Sequence, residues 1–331
     1  MIERIITLED HFLAEGYRNL MSLSNQGEGI LNFVLGRVRN QLEDLDSIRL
    51  RDMETAGIDM QIISNLGPNL PLSLSRTEEI MVAQEANNQL ATAIAAHPDR
   101  FGGFATLPMS EPQAASKELE RAVNALGMKG AMVFGTTNGH FLDDASFFPI
   151  LERANTLDVP IYIHPAPPPE AVRNAYYSGF QSAVNVILAG PGWGWHQEVG
   201  IHVLRLALAG VFDRLPNLHI IIGHMGEMIP FMFERSDHWF APVLKHLRKP
   251  LRDYMLENVY VTTSGIFSEA VMDLARRTFG VDRILFSVDY PFDRNETAVA
   301  FLNNLSTVTA AEKEKIAHLN AERVLKLKPK V

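Results

Sequence analysis

The stretch FSVDYPF, residues 286 to 292, joins an apolar run to an aspartate, an aromatic residue and a proline. Its apolar residues and serine fit a buried strand, but Asp289 adds a carboxylate at the end of that strand. Burying a carboxylate costs free energy unless the group is paired or bound to a cation. We therefore expect Asp289 to meet such a partner in the folded chain.

Seven other short runs of β-branched or apolar residues share this character, and helix-forming stretches separate them. The alternation predicts an α/β fold with a parallel sheet covered by helices. Eight strands, each followed by helix, favour a (β/α)8 TIM barrel, although the pattern is also compatible with an open, doubly wound sheet. The expected strands are 4–11, 59–65, 101–108, 130–136, 160–166, 218–224, 259–265 and 283–289. The expected helices are 76–97, 111–127, 145–157, 198–213, 227–246, 267–279 and 309–327.

Two connections are longer than a barrel needs, namely residues 12–44 after the first strand and 166–196 after the fifth. In a barrel both would lie at the carboxyl ends of the strands, where long loops often form lids or binding walls. We find no internal repeat or linker, and therefore expect one domain over residues 1–331.

The composition excludes several classes of function. Lys plus Arg number 30 against 39 Asp plus Glu, for a net charge of −9, and this argues against a nucleic-acid partner. The chain has no cysteine, so disulfides and thiolate chemistry are excluded and any metal must be held by His, Asp or Glu. We find no signal peptide and no apolar run of roughly 18 residues that could span a bilayer, which predicts a cytoplasmic protein without membrane contact.

Metal-competent side chains lie at the carboxyl ends of four expected strands, where barrel enzymes build their active sites. Glu9 and His11 are two residues apart, so they point to the same face of a strand. Any one of these residues could equally be structural, but together they supply two oxygens and two nitrogens suited to a divalent ion. The proposed ligands are Glu9, His11, His164 and Asp289, with His224 at a further strand end. His140, Trp195 and His196 lie on the same side of the barrel, with pocket and structural roles both open.

Four ordered motifs resemble those of the amidohydrolase superfamily, and specifically of its decarboxylase branch. They are LEDHF (8–12), IYIHPA (161–166), LHIIIGHMGEMIPF (218–231) and RILFSVDYPF (283–292). That branch includes γ-resorcylate (2,6-dihydroxybenzoate), 2,3-dihydroxybenzoate, salicylate and 5-carboxyvanillate decarboxylases, with aminocarboxymuconate-semialdehyde decarboxylase more distant. The similarity extends over essentially the whole chain.

The resemblance implies a barrel that binds one Zn²⁺ or Mn²⁺ through the four proposed ligands. Hydrolytic members usually open with His-x-His and often hold two metals through a carboxylated lysine after strand four. Here Glu9 takes the first position, and the fourth strand continues MVFGTTNGH without a lysine. Both departures favour one metal and the decarboxylase-like branch.

The same resemblance suggests catalytic roles. Asp289 would donate the proton to the ring carbon, provided that the substrate's negative charge raises its proton affinity. His224 would be a second polar catalyst, oriented by Glu227 three residues later. Glu227 could instead be a favourable charge in a first helical turn.

The substrate contacts are predicted from position. Phe292 would form a wall for an aromatic ring, with Asn65 and Thr263 as polar neighbours and Trp195 in the long fifth loop. Arg235 could reach a substrate carboxylate, in this or a neighbouring subunit, or form a surface salt bridge.

The predicted reaction is therefore metal-dependent, non-oxidative decarboxylation of an ortho-hydroxybenzoate-type aromatic acid. The alternative is hydrolysis of a lactone, ester or amide by metal-activated water, with Asp289 as base. The resemblance also implies a homodimer or homotetramer.

Overall fold

Eight parallel strands form the centre of the computed structural model, which describes residues 2–23, 30–69 and 72–328. Every strand overlaps a segment predicted from the sequence. The strands are β1 (Ile6–Phe12), β2 (Met60–Asn65), β3 (Phe101–Gly103), β4 (Ala131–Phe134), β5 (Ile161–His164), β6 (Ile220–Ile222), β7 (Val259–Thr262) and β8 (Ile284–Leu285).

The strands close into a barrel, so the open-sheet alternative is wrong. Strands β1 to β3 and β4 to β8 pair in sequence order, and parallel bridges join Ala105 to Ala131 and Asp10 to Tyr290. The second bridge closes the ring between β8 and β1, where the amide of His11 donates to the carbonyl of Tyr290 at 2.7 Å. Eight parallel strands with helical crossovers are the architecture of a TIM barrel.

Helices follow the strands around the outside of this barrel. The first eight are α1 (Glu15–Leu23), α2 (Ile30–Glu43), α3 (Ser47–Ala56), α4 (Arg76–Ala96), α5 (Pro112–Leu126), α6 (Phe148–Leu157), α7 (Glu170–Tyr176) and α8 (Ser182–Ala189). The others are α9 (Gly194–Leu208), α10 (Val211–Arg214), α11 (Ile229–Phe240), α12 (Leu251–Asn258), α13 (Glu269–Phe279), α14 (Asn295–Asn304), α15 (Ala310–Glu314) and α16 (Asn320–Leu325).

Two helix boundaries need correction, and outside the two long connections helices α3, α12 and α14 were not predicted. Helix α9 begins at Gly194, four residues before the predicted start at residue 198, so Trp195 and His196 lie in its first turn. Helix α11 ends at Phe240 and not at residue 246, because Pro242 follows its cap and cannot continue the helix. Helix α14, which buries Ala298 and Leu302 at helical spacing, was not predicted.

The two long connections contain helices of their own. The segment 12–44 carries α1 and α2, and its residues 24–29 lie outside the described part of the chain. The segment 166–196 carries α7 and α8 before α9 begins. Across the described ranges, the chain has no helix with the length and apolarity needed to cross a membrane.

The core has two parts, one between the strands and the outer helices and one inside the barrel. Each strand or its immediate extension sends apolar or aromatic side chains inward, so the interior is a packed core and not a pore. Ala321, Val324 and Leu325 of α16 belong to the same inner cluster, and therefore close one end of the barrel. The strand residues of that cluster are Ile6, Leu8, Met60, Ile62, Phe104, Met132, Tyr162, Ile221, Tyr260 and Leu285.

Candidate metal and active site

A β-bulge in β1 aims the first proposed ligand into the barrel. The pairing of β1 with β2 shifts register between Thr7 and Asp10, and the bulge lets Glu9 follow Leu8 toward the interior. The hydroxyl of Ser287 accepts hydrogen bonds from the amides of Leu8, at 3.2 Å, and Glu9, at 2.7 Å. Ser287 thus satisfies two amides that the interrupted ladder leaves free.

The four predicted ligands converge at the barrel mouth. One ligand atom from each of Glu9, His11, His164 and Asp289 lies within 4.8 Å of the others. His164 Nε2 is 3.2 Å from Glu9 Oε1, and His11 Nε2 is 3.2 Å from Asp289 Oδ1. Glu9 Oε1, His11 Nε2 and Asp289 Oδ1 are buried without a hydrogen-bond partner among the described residues. Buried polar atoms are normally satisfied, so this donor set fits a divalent cation.

The other ring nitrogens of the two histidines are held by the protein. His164 Nδ1 lies 2.7 Å from the carbonyl oxygen of Pro165, which can only accept, so Nδ1 carries the proton and Nε2 keeps its lone pair. Burial, and secondarily the neighbouring His11, lower the pKa of His164 to about 3, which keeps the imidazole neutral. His11 Nδ1 lies 3.0 Å from the hydroxyl of Ser64. Such contacts orient metal-binding imidazoles.

Three hydroxyl groups surround the other oxygen of Glu9. Tyr162, Ser264 and Thr262 all donate to Oε2, the last at 3.3 Å, and all three side chains are buried. Burial is the main cause that raises the pKa of Glu9, and it also raises the pKa of the Tyr162 phenol well above its usual value. With Oε2 occupied, Oε1 is the oxygen left for a metal ion. These hydroxyl residues were not predicted, although Tyr162 is two residues before His164 and shares its face of the strand.

The residues after β6 form a tight turn of left-handed backbone. His224, Met225, Glu227 and Met228 have φ values of 48°, 55°, 52° and 66°. Such conformations cost on the order of 1–3 kcal/mol each for non-glycine residues and are found at functional sites. Glu227 lies in this turn and α11 begins only at Ile229, so the alternative that Glu227 is a first-turn helix charge is wrong.

Within this turn His224 and Glu227 form a buried pair. His224 Nδ1 lies 2.7 Å from Glu227 Oε1, and His224 Nε2 lies 3.7 Å from Asp289 Oδ2. Burial opposes protonation of His224, but the carboxylates of Glu227 and Glu9 outweigh it and raise the pKa of His224 well above its usual value. Burial likewise opposes ionisation of Glu227, yet its two histidine partners lower the pKa of Glu227 to about 2.

Two of the predicted substrate contacts have rings near the ligands, and a third, Asn65, is the last residue of β2. The ring of Phe292 is 6.0 Å from that of His11, and the ring of Trp195 is 6.4 Å from that of His164. Asn65 Oδ1 accepts hydrogen bonds from two backbone amides, while its Nδ2 is buried without a partner in the described ranges. Asn65 therefore retains a free donor.

The other two predicted contacts lie elsewhere. Thr263 is fully buried, and its hydroxyl donates to the carbonyl of Ser287 at 2.8 Å and accepts from the amide of the same residue at 2.9 Å. This hydroxyl bridges the seam between β7 and β8, and a substrate contact by Thr263 stays a prediction from the sequence. Arg235 is exposed on α11, with its guanidinium 5.7 Å from the ring of Trp239. His140 is exposed and lies 3.1 Å from Asp144.

Comparisons with known proteins concern the family and the fold of this chain. The family described as Amidohydrolase matches residues 49–327. The γ-resorcylate decarboxylase of Polaromonas sp. (strain JS666) is 37% identical over 333 residues, covering 97% of this chain and 98% of that protein.

Two solved structures extend this likeness to three dimensions. A dihydroxybenzoic acid decarboxylase from Polaromonas sp. JS666, with bound manganese and the inhibitor 2-nitroresorcinol, has a TM-score of 0.86 at 35% identity, covering 99% of this chain and 98% of that one. A 2,6-dihydroxybenzoate decarboxylase in complex with 2,6-dihydroxybenzoate has a TM-score of 0.85 at 35% identity, covering 98% and 99%. The resemblance predicted from the four motifs is confirmed.

Proposed function

The chain belongs to the amidohydrolase family, in its decarboxylase branch, and we propose that it decarboxylates an ortho-hydroxybenzoate-type acid by protonating the ring carbon as CO₂ leaves. The observation that carries the proposal is the cluster of three buried ligand atoms beside His164 that have no hydrogen-bond partner among the described residues. A full-length likeness to dihydroxybenzoate decarboxylases supports the choice of reaction. We expect the substrate to be a small aromatic carboxylic acid.

The proposed cofactor is one divalent ion, Mn²⁺ or Zn²⁺, held by Glu9, His11, His164 and Asp289. Two carboxylate oxygens and two imidazole nitrogens suit both ions, and manganese in a related structure favours Mn²⁺. When bound, the ion supplies a Lewis acid and a template for the ortho oxygen and the carboxylate of the substrate. The protein contributes a preorganised site, because hydrogen bonds already fix the atoms behind Glu9, His11 and His164.

Asp289 is the proposed proton donor to the ring carbon. Burial would raise the pKa of Asp289, but His11 and His224 outweigh it and lower this pKa, so the side chain alone is a carboxylate. The negative charge of a bound substrate must therefore raise its proton affinity before it can act as an acid. Asp289 then gives the proton to the carbon that bears the carboxylate, and the C–C bond electrons stay on the ring as CO₂ departs.

His224 and Glu227 are proposed to support this step. Because the Glu227 carboxylate accepts from Nδ1, His224 presents Nε2 toward Asp289 and the reacting groups. A protonated His224 would donate to negative charge on the substrate or on Asp289 and hold it in place. Glu227 acts through His224 and not on the substrate.

The substrate ring is proposed to pack against Phe292 and Trp195, with Asn65 Nδ2 as a polar contact. The segments 12–44 and 166–196 are proposed lids, since they follow β1 and β5, the strands that carry three of the ligands. Arg235 is exposed, so a substrate contact from it fits best in a neighbouring subunit of a homodimer or homotetramer. A single domain over residues 1–331 and a cytoplasmic location remain predictions from the sequence.

The test is a substrate panel with purified protein loaded with Mn²⁺ or Zn²⁺. We expect an ortho-hydroxybenzoate to release CO₂, and in D₂O to acquire one deuterium at the carbon that carried the carboxylate. If no panel member lost CO₂ while a lactone, ester or amide series turned over, the decarboxylase proposal would be wrong. Metal analysis of protein purified without added metal would identify the resident ion.

A further inference from the structure

The carboxylate of Glu227 lies between two imidazoles, and not beside His224 alone. His224 Nδ1 is 2.7 Å from Oε1, while His196 Nδ1 is 2.6 Å from Oε2. The two rings are 4.6 Å apart between centroids. Because the Glu227 side chain is fully buried, both oxygens depend on the protein for hydrogen bonds, and these imidazoles provide one for each.

The neighbouring Trp195 determines which nitrogen of His196 carries the proton. The indole Nε1 of Trp195 lies 3.0 Å from His196 Nε2, and an indole N–H can only donate. His196 Nε2 must then accept, so the proton of the neutral ring is on Nδ1, where it points to Glu227. The carbonyl of Pro191, 3.1 Å from Nε2, could bond to this nitrogen only if Nε2 carried a proton in place of accepting the indole bond.

Close packing brings His196 to the left-handed turn after β6, which contains His224 and Glu227. His196 is in the first turn of α9, and one turn later a Cβ on Gly200 would lie 2.9 Å from the carbonyl oxygen of Glu227. That distance is too short for a real side chain, so glycine allows α9 to approach the backbone of the turn. The contact between His196 and Glu227 is thus supported by the packing of two elements.

We infer that His196 is a positioning residue for decarboxylation, which holds Glu227 so that Oε1 faces His224 Nδ1 and His224 Nε2 faces Asp289. This inference rests on the proposed function. A carboxylate held at one oxygen can rotate about its terminal bond, whereas one held at both oxygens presents each in a fixed direction. His196 also connects the end of the 166–196 segment to the turn after β6. Trp195 fixes the tautomer of His196.

The experiment compares His196→Phe, which keeps an aromatic ring without the donor, with His196→Asn, whose amide nitrogen can replace Nδ1. We expect Phe to lower kcat about tenfold, as for loss of one hydrogen bond to a charged group, with KM nearly unchanged. Asn should restore most of kcat. In histidine-labelled protein, the Nδ1 proton resonance of His224 should shift or broaden in the Phe variant and return toward its original position in the Asn variant. His140→Asn, at an exposed histidine that pairs with Asp144, is the matched control and should leave all readouts unchanged.

Two outcomes would overturn the inference. One is an unchanged kcat and an unshifted His224 resonance in the Phe variant. The other is an equal loss in both variants accompanied by lower metal content or melting temperature, because that would indicate a structural role only. If the wild-type protein releases no CO₂ from any panel acid, the proposed function fails, while the resonance still tests whether His196 positions the pair.

Discussion

Tyr162 donates a hydrogen bond to Glu9 inside the barrel, where both side chains are fully buried. The phenol belongs to the same layer of inward-facing residues as Leu8, yet it ends at the carboxylate of a metal ligand. Tyr162 therefore links the packed interior of the barrel to the chemistry at its mouth. Its hydrogen bond occupies Oε2 of Glu9, which leaves Oε1 as the oxygen available to a metal ion.

We predict that Tyr162→Phe lowers the affinity for Mn²⁺ about tenfold, since loss of a hydrogen bond behind a ligand typically costs 10- to 100-fold. A chelator competition titration measures this directly. Tyr260→Phe is the matched control, because Tyr260 is also an inward-facing tyrosine of the inner cluster, whereas the described residues that donate to the Glu9 carboxylate are Tyr162, Thr262 and Ser264. Equal affinities for the two variants would contradict the role given to Tyr162.

Asp289→Asn should decrease kcat by roughly 10²- to 10⁴-fold, the range for loss of a general acid. The amide can neither donate the required proton nor ionise as a ligand. Circular dichroism and the melting temperature of the metal-loaded variant should remain near those of the wild type. Near-normal release of CO₂ from the variant would exclude Asp289 as the proton donor.

The strand ends were predictable because each ligand follows an apolar run, and a charge in that position needs a partner. Glu9, His164 and Asp289 stand out in the sequence for this reason. The hydroxyl groups behind them do not, since a tyrosine in the strand IYIH is typical of any core strand. The sequence reading named Thr263, whereas Thr262 is the threonine that donates to Glu9. Strand register decides which of two adjacent threonines faces inward, and the sequence does not specify register.

The turn after β6 was the least predictable part of the site. HMGEM contains one glycine and reads as the start of a helix, whereas four of its non-glycine residues adopt left-handed backbone. The turn is also set by a tertiary contact: a Cβ on Gly223 would lie 2.6 Å from Glu9 Oε2, so the chain enters the turn directly beside a ligand. Local propensity carries no information on such a contact.

Ser287→Ala should lower the free energy of unfolding by about 1–3 kcal/mol, because it leaves the amides of Leu8 and Glu9 without their acceptor. Urea unfolding of the metal-free protein measures the loss without a contribution from metal binding. Ser268→Ala is the control, since Ser268 precedes α13 without a capping side-chain hydrogen bond. A similar small change in both variants would mean that Ser287 does not stabilise the bulge.

His202 should make the protein less stable in mild acid. Its Nε2 accepts a hydrogen bond from the amide of Leu142 at 2.8 Å, and burial lowers the pKa of His202 from 6.5 to about 3. Below pH 6.5, His202 is therefore protonated in the unfolded chain but stays neutral in the folded chain. The stability that neutral His202 contributes above pH 6.5 is for this reason lost as the pH falls toward 3.

From pH 6.5 to about pH 5, the contribution of His202 to the free energy of unfolding falls by about 2 kcal/mol. We expect the free energy of unfolding of the wild type to fall by that much relative to His202→Gln, which can accept from Leu142 but does not titrate. Urea unfolding at the two pH values tests this prediction. Parallel pH dependence in the two proteins would show that His202 is not the responsible group.

Helix α16 controls the access of water to the interior of the barrel. Ala321, Val324 and Leu325 fill one end of an interior whose other walls come from all eight strands, beginning with Ile6. If α16 were detached, water would have access to that interior from this end. The buried chemistry at the mouth therefore depends on α16, and a chain from which α16 detached would carry the metal ligands without a dry barrel behind them.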